Sequence, residues 1–300
     1  MANDWVEAMR ADDFARAWAI NDCDLAASSH PPKHIGPRHL QRIWRGESLA
    51  GKRVLVRCYH GLGDTIQFLR FMPPLRGLAC GVTVWCQTEL LPLVERTAGV
   101  DRALALHEGT PETDFDVDIE IMEVPHALKS GRGQIEMRAP YLTLPQKTLS
   151  AAIDRGAFAV GLVWEVGQWD KRRAVPPALL RSLAVPGIAL YSLQRDARKE
   201  DLMRVGARDI STSDIAKLGH LLRQLDLVIC VDTMVAHLAG ALGCEAWVLL
   251  HADCDWRWPS AGSRSSWYPS LRLFHQRTAG DWSAVISQVR EALEERTKSG

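Results

Sequence analysis

Between residues 53 and 86 the sequence RVLVRCYHGLGDTIQFLRFMPPLRGLACGVTVWC places two apolar runs on either side of a glycine turn and a helical pattern. Val54, Leu55 and Val56 run into His60-Gly61-Leu62-Gly63, Asp64 and Thr65 open the helix, and Val82-Thr83-Val84-Trp85 follows as a second strand. Strand, tight turn, helix and strand in this order form the unit from which parallel α/β sheets are assembled. Glycines at the strand-to-helix junction leave backbone N–H groups and the helix dipole to an anionic ligand. The dinucleotide-binding fingerprint needs a third glycine two residues further on, and G-L-G-D lacks it. Asp64 stands at the helix mouth instead, and an acid beside an anion site points to group transfer rather than hydride transfer.

A chain of 300 residues exceeds one small core and fits two domains of ordinary size. Apolar residues make up 47% and charged residues 24%, the balance of a soluble globular protein. Lys+Arg and Asp+Glu both total 36, so no basic excess supports a general nucleic-acid binder, although a local basic cluster is still allowed. The seven cysteines (Cys23, Cys58, Cys80, Cys86, Cys230, Cys244 and Cys254) form no CxxC pair and read as reduced, mostly buried thiols of a cytosolic protein. No apolar segment follows a basic start and no run of about 18 apolar residues occurs, so neither export nor a membrane span is expected. Peripheral membrane association stays open.

Residues 3–27 carry an amphipathic pattern (Trp5, Ala8, Met9, Phe14, Ala17, Trp18, Leu25) that predicts two short helices. The segment DDFARAWAINDCDLAA resembles half of a tetratricopeptide-type helical hairpin, without a second copy. Ser28–Pro37 reads as a linker. Strands are expected at 53–58, 82–86, 101–106 and 117–122, and Thr143–Gly156 reads as a boundary. Alternation restarts with FAVGLVW (158–164) and continues through strand 188–193, helix 214–224, strand 225–231, helix 233–242 and strand 246–250. Two such blocks imply two Rossmann-like domains, with a cleft at the carboxyl ends of their strands. The expected organisation is a helical N-terminal segment and linker (1–37), a first Rossmann-like domain (38–150), a second (151–280) and a C-terminal helix (281–300). That last helix presents Trp282, Val285, Ile286, Val289 and Leu293 on one face.

Three further groups of residues carry chemistry. In LDLVICVDTMVAHLAGALG (225–243) a buried strand ends at Asp232-Thr233, where a helix begins, and Thr233 and His237 share a face one turn apart. N–H groups of residues 233–235, the Thr233 hydroxyl and the His237 imidazole can converge on a phosphate or ribose; alternatively Asp232 is an N-cap and His237 a packing residue. In WEVGQWDKRR (164–173), Lys171, Arg172 and Arg173 form a basic cluster after a strand, suited to a diphosphate or simply solvated. In DCDWRWPSAGSRSSWY (253–268), Trp256, Trp258, Trp267 and Tyr268 lie on a polar, glycine-containing loop where exposed rings can stack on a sugar or base, or pack on neighbouring helices. Asp64 is either a helix cap or a general base for an acceptor hydroxyl, with His60 a weaker candidate.

Together these segments (YHGLGDTIQFLRFMP, GLVWE…DKRRAVP, YSLQ, LDLVICVDTMVAHLAGALG, AWVLL, DWRW and SSWYPSLRLFHQ) resemble glycosyltransferase family 9. More closely, they resemble the ADP-heptose:lipopolysaccharide heptosyltransferase-like module found C-terminal to tetratricopeptide repeats in bacterial proteins. The resemblance spans roughly residues 52–276 and implies a GT-B fold: α/β, with two Rossmann-like domains facing across a cleft and a short helical N-terminal segment. It also implies an inverting, metal-independent transfer of a heptose-like or hexose sugar from a nucleotide-diphospho-sugar to a hydroxyl, with no cofactor. Asp64 would be the catalytic base. Gly61, Gly63, Thr65, Trp164, Lys171, Arg172, Arg173, Gln194, Asp232, Thr233, Met234, His237, Trp256 and Trp258 would bind the nucleotide sugar. Met234 departs from the glycine that heptosyltransferases carry after Asp-Thr. The basic loop also lacks the asparagine of many repeat-linked relatives. The acceptor (glycan, lipid-linked glycan or protein) is open, and so are two rivals: a GT-B nucleotide-sugar epimerase and a non-catalytic nucleotide-sugar-binding module.

Overall fold

Strands that are apolar on both faces belong inside parallel sheets covered on both sides. LVICV (227–231) and AWVLL (246–250) are of this kind, and every one of their residues is buried. The computed structural model describes residues 2–28, 41, 43–135, 139–146, 153–154, 156–167 and 170–298. The chain divides into two units, Met1–Pro145 and Gln146–Gly300. Apart from Ser28, the expected linker lies outside the described residues, as do Gln168 and Trp169 of the basic loop.

The first unit begins with the two expected helices, α1 (Ala2–Arg10) and α2 (Phe14–Ala27), the second capped by Asp13, which accepts the Arg16 N–H at 3.1 Å. Ala8, Met9, Phe14, Ala17 and Trp18 are buried, and the Trp18 indole donates to the Ser130 carbonyl at 2.8 Å. The chain then runs through β1 (Arg53–Arg57), α3 (Leu62–Phe68), α4 (Met72–Leu78), β2 (Gly81–Cys86), α5 (Leu91–Val94), β3 (Arg102–Ala105), β4 (Val117–Glu120), α6 (Val124–Ala127) and α7 (Arg132–Ile135). The strands form a parallel sheet in the order β3-β2-β1-β4, with Val56 opposite Val84 and Ile119. Helix α3 starts at Leu62, two residues before the expected opening at Asp64, because Gly61 takes the extended conformation of a cap (φ −72°, ψ 165°). A 3₁₀ turn, Leu69–Phe71, separates α3 from α4, since Pro73 and Pro74 lack the N–H groups that would continue the ladder. Gly99 has φ +83°, and a Cβ there would sit 2.5 Å from the Met72 carbonyl, so only glycine lets this turn cross the start of α4.

The second unit comprises β5 (Phe158–Val163), α8 (Pro177–Leu180), β6 (Ile188–Ser192), α9 (Lys199–Val205), β7 (Arg208–Asp209), α10 (Ile215–Leu222), β8 (Leu227–Val231), α11 (Met234–Ala241), β9 (Ala246–Leu250), β10 (Leu271–His275) and α12 (Trp282–Lys298). Its parallel sheet has the order β10-β9-β8-β5-β6-β7. The two edge strands, β7 and β10, were not expected from the sequence. The predicted face of α12 is the buried one: Trp282, Val285, Ile286, Val289 and Leu293 join Trp164, Trp247 and Phe274 in one core.

Candidate functional site

In each sheet the strand order reverses direction beside the first strand of the unit, between β1 and β4 in the first and between β5 and β8 in the second. Loops leaving neighbouring strands in opposite directions open a crevice at their carboxyl ends, the position where doubly wound sheets bind ligands. The residues singled out from the sequence cluster at these two places.

In the first unit β1 exits through Cys58, Tyr59 and His60 to Gly61. The Asp64 carboxylate, half-buried at the third position of α3, accepts the Gly61 N–H at 2.9 Å. It therefore braces the turn from within the helix rather than standing before it. Gly63 lies in the same first turn, half-buried. Thr65 is fully buried; its hydroxyl meets the Gln87 amide oxygen at 3.0 Å, and the Gln87 amide donates to the His60 carbonyl at 2.7 Å. This corrects the expectation for Thr65, whose hydroxyl stiffens the glycine turn and is not presented to a ligand.

Glu120, at the end of β4, is the residue that sequence reasoning missed. Strand pairing sets it opposite Arg57, and only 2% of it is exposed. One carboxylate oxygen accepts the Met122 N–H at 2.7 Å and lies 3.8 Å from His60 Nε2, while Oε1 is buried without a hydrogen-bond partner. Burial pushes its pKa well up; the Met122 N–H works against this, and the charges of Glu123 and Asp64 add to it. Asp64 thus neighbours a carboxyl group that holds its proton far better than an ordinary glutamate. The alternation in DVDIEIM hinted at a strand, but nothing in the sequence told that its last residue would lie beside the glycine turn.

In the second unit the basic loop follows β5. Trp164 is 1% exposed and part of the core, so its assignment as a ligand contact is corrected; its carbonyl accepts the Val175 N–H. Gln194, just past β6, ties the two strand ends together by accepting the N–H groups of Trp164 (3.2 Å) and Glu165 (2.9 Å). The three basic residues form one 3₁₀ turn but have different surroundings. Lys171 is exposed. Arg172 grips Asp170 with two N–H groups at 2.9 and 2.8 Å, which holds the Asp170 carboxyl down at about 2, and reaches Asp253 at 3.4 Å. Arg173 turns inward, 3.1 Å from the Asp232 carboxylate. Asp232 is 4% exposed; burial pushes its pKa up, Arg173 pulls it down and Asp255 pushes it up again. His251, at the end of β9, lies 3.7 Å from Asp170, and burial lowers its pKa.

Thr233, not Asp232, is the N-cap of α11: its hydroxyl accepts the Val235 N–H at 3.2 Å, and half-buried Met234 opens the helix. His237 is 5% exposed, with Nδ1 at 3.0 Å from the Tyr268 hydroxyl and its ring stacked on Trp258 at 5.8 Å. The expected convergence of the Thr233 hydroxyl and the His237 imidazole on a ligand is therefore not what the fold builds; one caps the helix and the other packs. The expectation of exposed rings is corrected likewise for Trp258, Trp267 and Tyr268, each at most 1% exposed. Trp256 is half-buried beneath the Arg257 guanidinium, 4.3 Å from the ring centre. What the crevice gathers is Lys171, Arg173, Asp232, the N-terminal turn of α11 and the Gln194 brace. Among the described residues no group of three or more His, Cys, Asp or Glu side chains is placed to hold a metal ion, and no helix is long and apolar enough to cross a membrane.

No family model matches the chain. A curated relative, protein FlbA of Caulobacter vibrioides, is 25% identical over 288 residues, which cover 83% of this chain and 48% of FlbA; the chain thus spans about half the length of that relative. Among solved structures, the glycosyl transferase family 9 protein of Veillonella parvula superposes with a TM-score of 0.57 at 12% identity, covering 85% of this chain and 99% of that one. The E. coli heptosyltransferase WaaC with ADP-2-deoxy-2-fluoro heptose superposes with a TM-score of 0.53 at 12% identity, covering 81% and 99%. With its two parallel α/β sheets, the chain has the GT-B type fold of the family 9 heptosyltransferases.

Proposed function

We propose that the chain is an inverting, metal-independent glycosyltransferase that moves a heptose-like or hexose sugar from a nucleotide-diphospho-sugar to a hydroxyl acceptor. The observation that carries this reading is Asp64: a half-buried carboxylate fixed to the Gly61 N–H at a strand-order switch point, next to the buried acid Glu120. A general base needs that kind of fixed position beside the hydroxyl it deprotonates. In the proposed step the acceptor oxygen forms its bond to the anomeric carbon as the bond to the diphosphate oxygen breaks, and the hydroxyl proton passes to Asp64. For the diphosphate the second unit offers Lys171, Arg173 and the positive end of the α11 dipole, which would stabilise its developing negative charge. The WaaC complex with an ADP-sugar supports a nucleotide sugar as donor. A cytoplasmic location and a glycan, lipid-linked glycan or protein acceptor complete the proposal.

An epimerase of the same fold would need a second carboxyl within reach of the sugar. Glu120 is the neighbouring candidate, but at 2% exposure it is closed to substrate, which favours transfer. The non-catalytic reading draws support from the pairing of Arg172 and Arg173 with carboxylates and from the bracing role of Asp64. The discriminating experiment is calorimetry with a panel of nucleotide diphosphates and their sugars on the wild type and Asp64→Asn, followed by nucleotide release in the presence of EDTA. One nucleotide sugar bound equally by both proteins, with release lost only in the variant, is the expected result. Binding of no nucleotide would overturn the donor assignment, equal release by both proteins would remove Asp64 as base, and release abolished by EDTA would overturn the metal-independent step.

A further inference from the structure

The crossover from β3 to β4 differs from the others in its sheet. The connections β1–β2 and β2–β3 carry α3, α4 and α5, whereas residues 106–116 travel from one edge of the sheet to the other without a helix or strand. Under this crossover lies a cavity of about 330 Å³. Its floor is buried and consists of Arg57, Tyr59, Trp85 and Pro111; its rim, which includes His107 and Thr110, is exposed. We propose that this cavity binds a single neutral sugar ring and recognises the acceptor of the transfer reaction, an assignment that rests on the transferase reading above.

The floor is rigid. Arg57 places Nε and Nη2 each 2.8 Å from the Asp118 carboxylate and donates from Nη1 to the Tyr59 hydroxyl at 2.8 Å. Its guanidinium lies 5.2 Å from the Trp85 ring centre, 5.8 Å from Tyr59 and 5.7 Å from Phe115. The Trp85 indole is itself fixed by donation to the Ala105 carbonyl at 2.8 Å. A site whose groups are already held in place binds without spending affinity on ordering them.

Charge and size select the ligand. Asp118 balances Arg57, so the floor offers polar N–H edges without net charge. An anion would meet the rim carboxylate of Glu108 and a guanidinium already neutralised by Asp118, and a cation would meet Arg57. An apolar ligand would bury the guanidinium edge without replacing its hydration, which is costly. A neutral polyhydroxylated ring avoids all three penalties: hydroxyls can pair with planar polar side chains while an apolar ring face lies against the exposed His107 ring and the edge of Tyr59. The volume is at the small end of ligand pockets, which span about 300–1,000 Å³, and suits one ring rather than a nucleotide. The position also fits an acceptor, because Tyr59 of the floor leads directly through His60 to Gly61 and the turn that carries Asp64.

The test is saturation-transfer NMR and calorimetry on the full chain, with no donor present. The probes are glucose, galactose, mannose, N-acetylglucosamine and a free heptose, with glucuronate and glucosamine as charged comparators. Thr110→Trp places an indole on an exposed rim position and closes the mouth of the cavity; Arg57→Met alters the floor, and thermal unfolding checks that each variant is folded. Saturable binding of at least one neutral sugar, at least tenfold tighter than the charged comparators and weakened at least tenfold by Thr110→Trp, is expected. No neutral-sugar binding, preference for a charged sugar, or unchanged binding in Thr110→Trp would overturn the assignment even if Arg57→Met did not fold. Because donor and turnover are absent, sugar binding without any nucleotide binding would sink the transferase reading and leave the cavity standing. Turnover by the wild type with unaltered acceptor KM in Thr110→Trp would sink the cavity alone.

Discussion

Replacing Arg173 with methionine keeps most of the aliphatic stem and removes the charge that faces Asp232 at 3.1 Å. Asp232 is 4% exposed, and after burial Arg173 is the largest influence on its ionisation. Breaking a buried ion pair from one side costs roughly 3–5 kcal/mol, because the remaining charge is cut off from water; at Asp232 the weaker pull of Arg257 and of the Trp258 side chain is left to offset it, which favours the lower end. For the unit Gln146–Gly300 a loss of that size lowers Tm by roughly 6–20 °C, at about 2–4 °C per kcal/mol for a domain of this length. The sign of the pH dependence follows from the raised pKa of Asp232. Its contribution to stability is whole below the unfolded value of about 3.9 and is lost as pH rises through the folded value. Removing Arg173 raises the folded value further, so the gap between variant and wild type should be larger at pH 8 than at pH 5, because protonation of Asp232 becomes easier as pH falls. Thermal and urea unfolding of both proteins at the two pH values, with Arg173→Met/Asp232→Asn as a third chain, measures this. The double variant should recover at least half of the loss. A gap below about 1 kcal/mol at pH 8, or one of equal size at pH 5, would refute the reasoning.

Two further outcomes follow from packing. A Cβ at Gly240 would lie 2.3–2.8 Å from the Tyr268 ring, so Gly240→Ala should destabilise by about 1–3 kcal/mol in urea unfolding and shift the resonances of His237, which Tyr268 contacts; an unchanged midpoint would mean the ring has room to move. Cys23 and Cys80 are exposed, while Cys58, Cys86, Cys230 and Cys254 are buried, with burial pushing Cys86 up to about 12, so an aromatic disulfide reagent at pH 8 should modify Cys23 and Cys80 quickly and the buried thiols only after denaturation; rapid modification of Cys58 or Cys86 would show that the floor of the first sheet opens readily.

Continuous apolar runs were the most legible part of the sequence. The expected strands around 53–58, 188–193 and 246–250 match the observed elements to within a residue or so, because strands buried on both faces leave little choice of side chain. The edge strands were not legible: Leu271–His275 interrupts its apolar residues with exposed Arg272, and Arg208–Asp209 is too short to leave a pattern. The site was legible as segments rather than as contacts. Lys171, Arg172 and Arg173 read as one basic cluster, yet Asp170 and Asp232, reached from different strands, divide them between surface and interior. Trp258, Trp267 and Tyr268 read as exposed because their own loop is polar. Their burial is decided by partners the loop does not reveal: the bare backbone of Gly240, 28 residues away, admits Tyr268, and His237 stacks on Trp258. Glu120 had no local signal, since its environment is created by strand pairing with β1.

Both sheets place their first-made strand in the interior, with β1 between β2 and β4, and β5 between β6 and β8. During synthesis each of these apolar strands leaves the ribosome with two unpaired edges, and one of those edges waits for a strand finished about 65 residues later. At about 5–20 residues per second that interval is roughly 3–13 s, long compared with hydrophobic collapse. Nascent chains stalled just before Val117, or just before Leu227, would therefore expose an open edge of a buried sheet and should be the species that molecular chaperones capture.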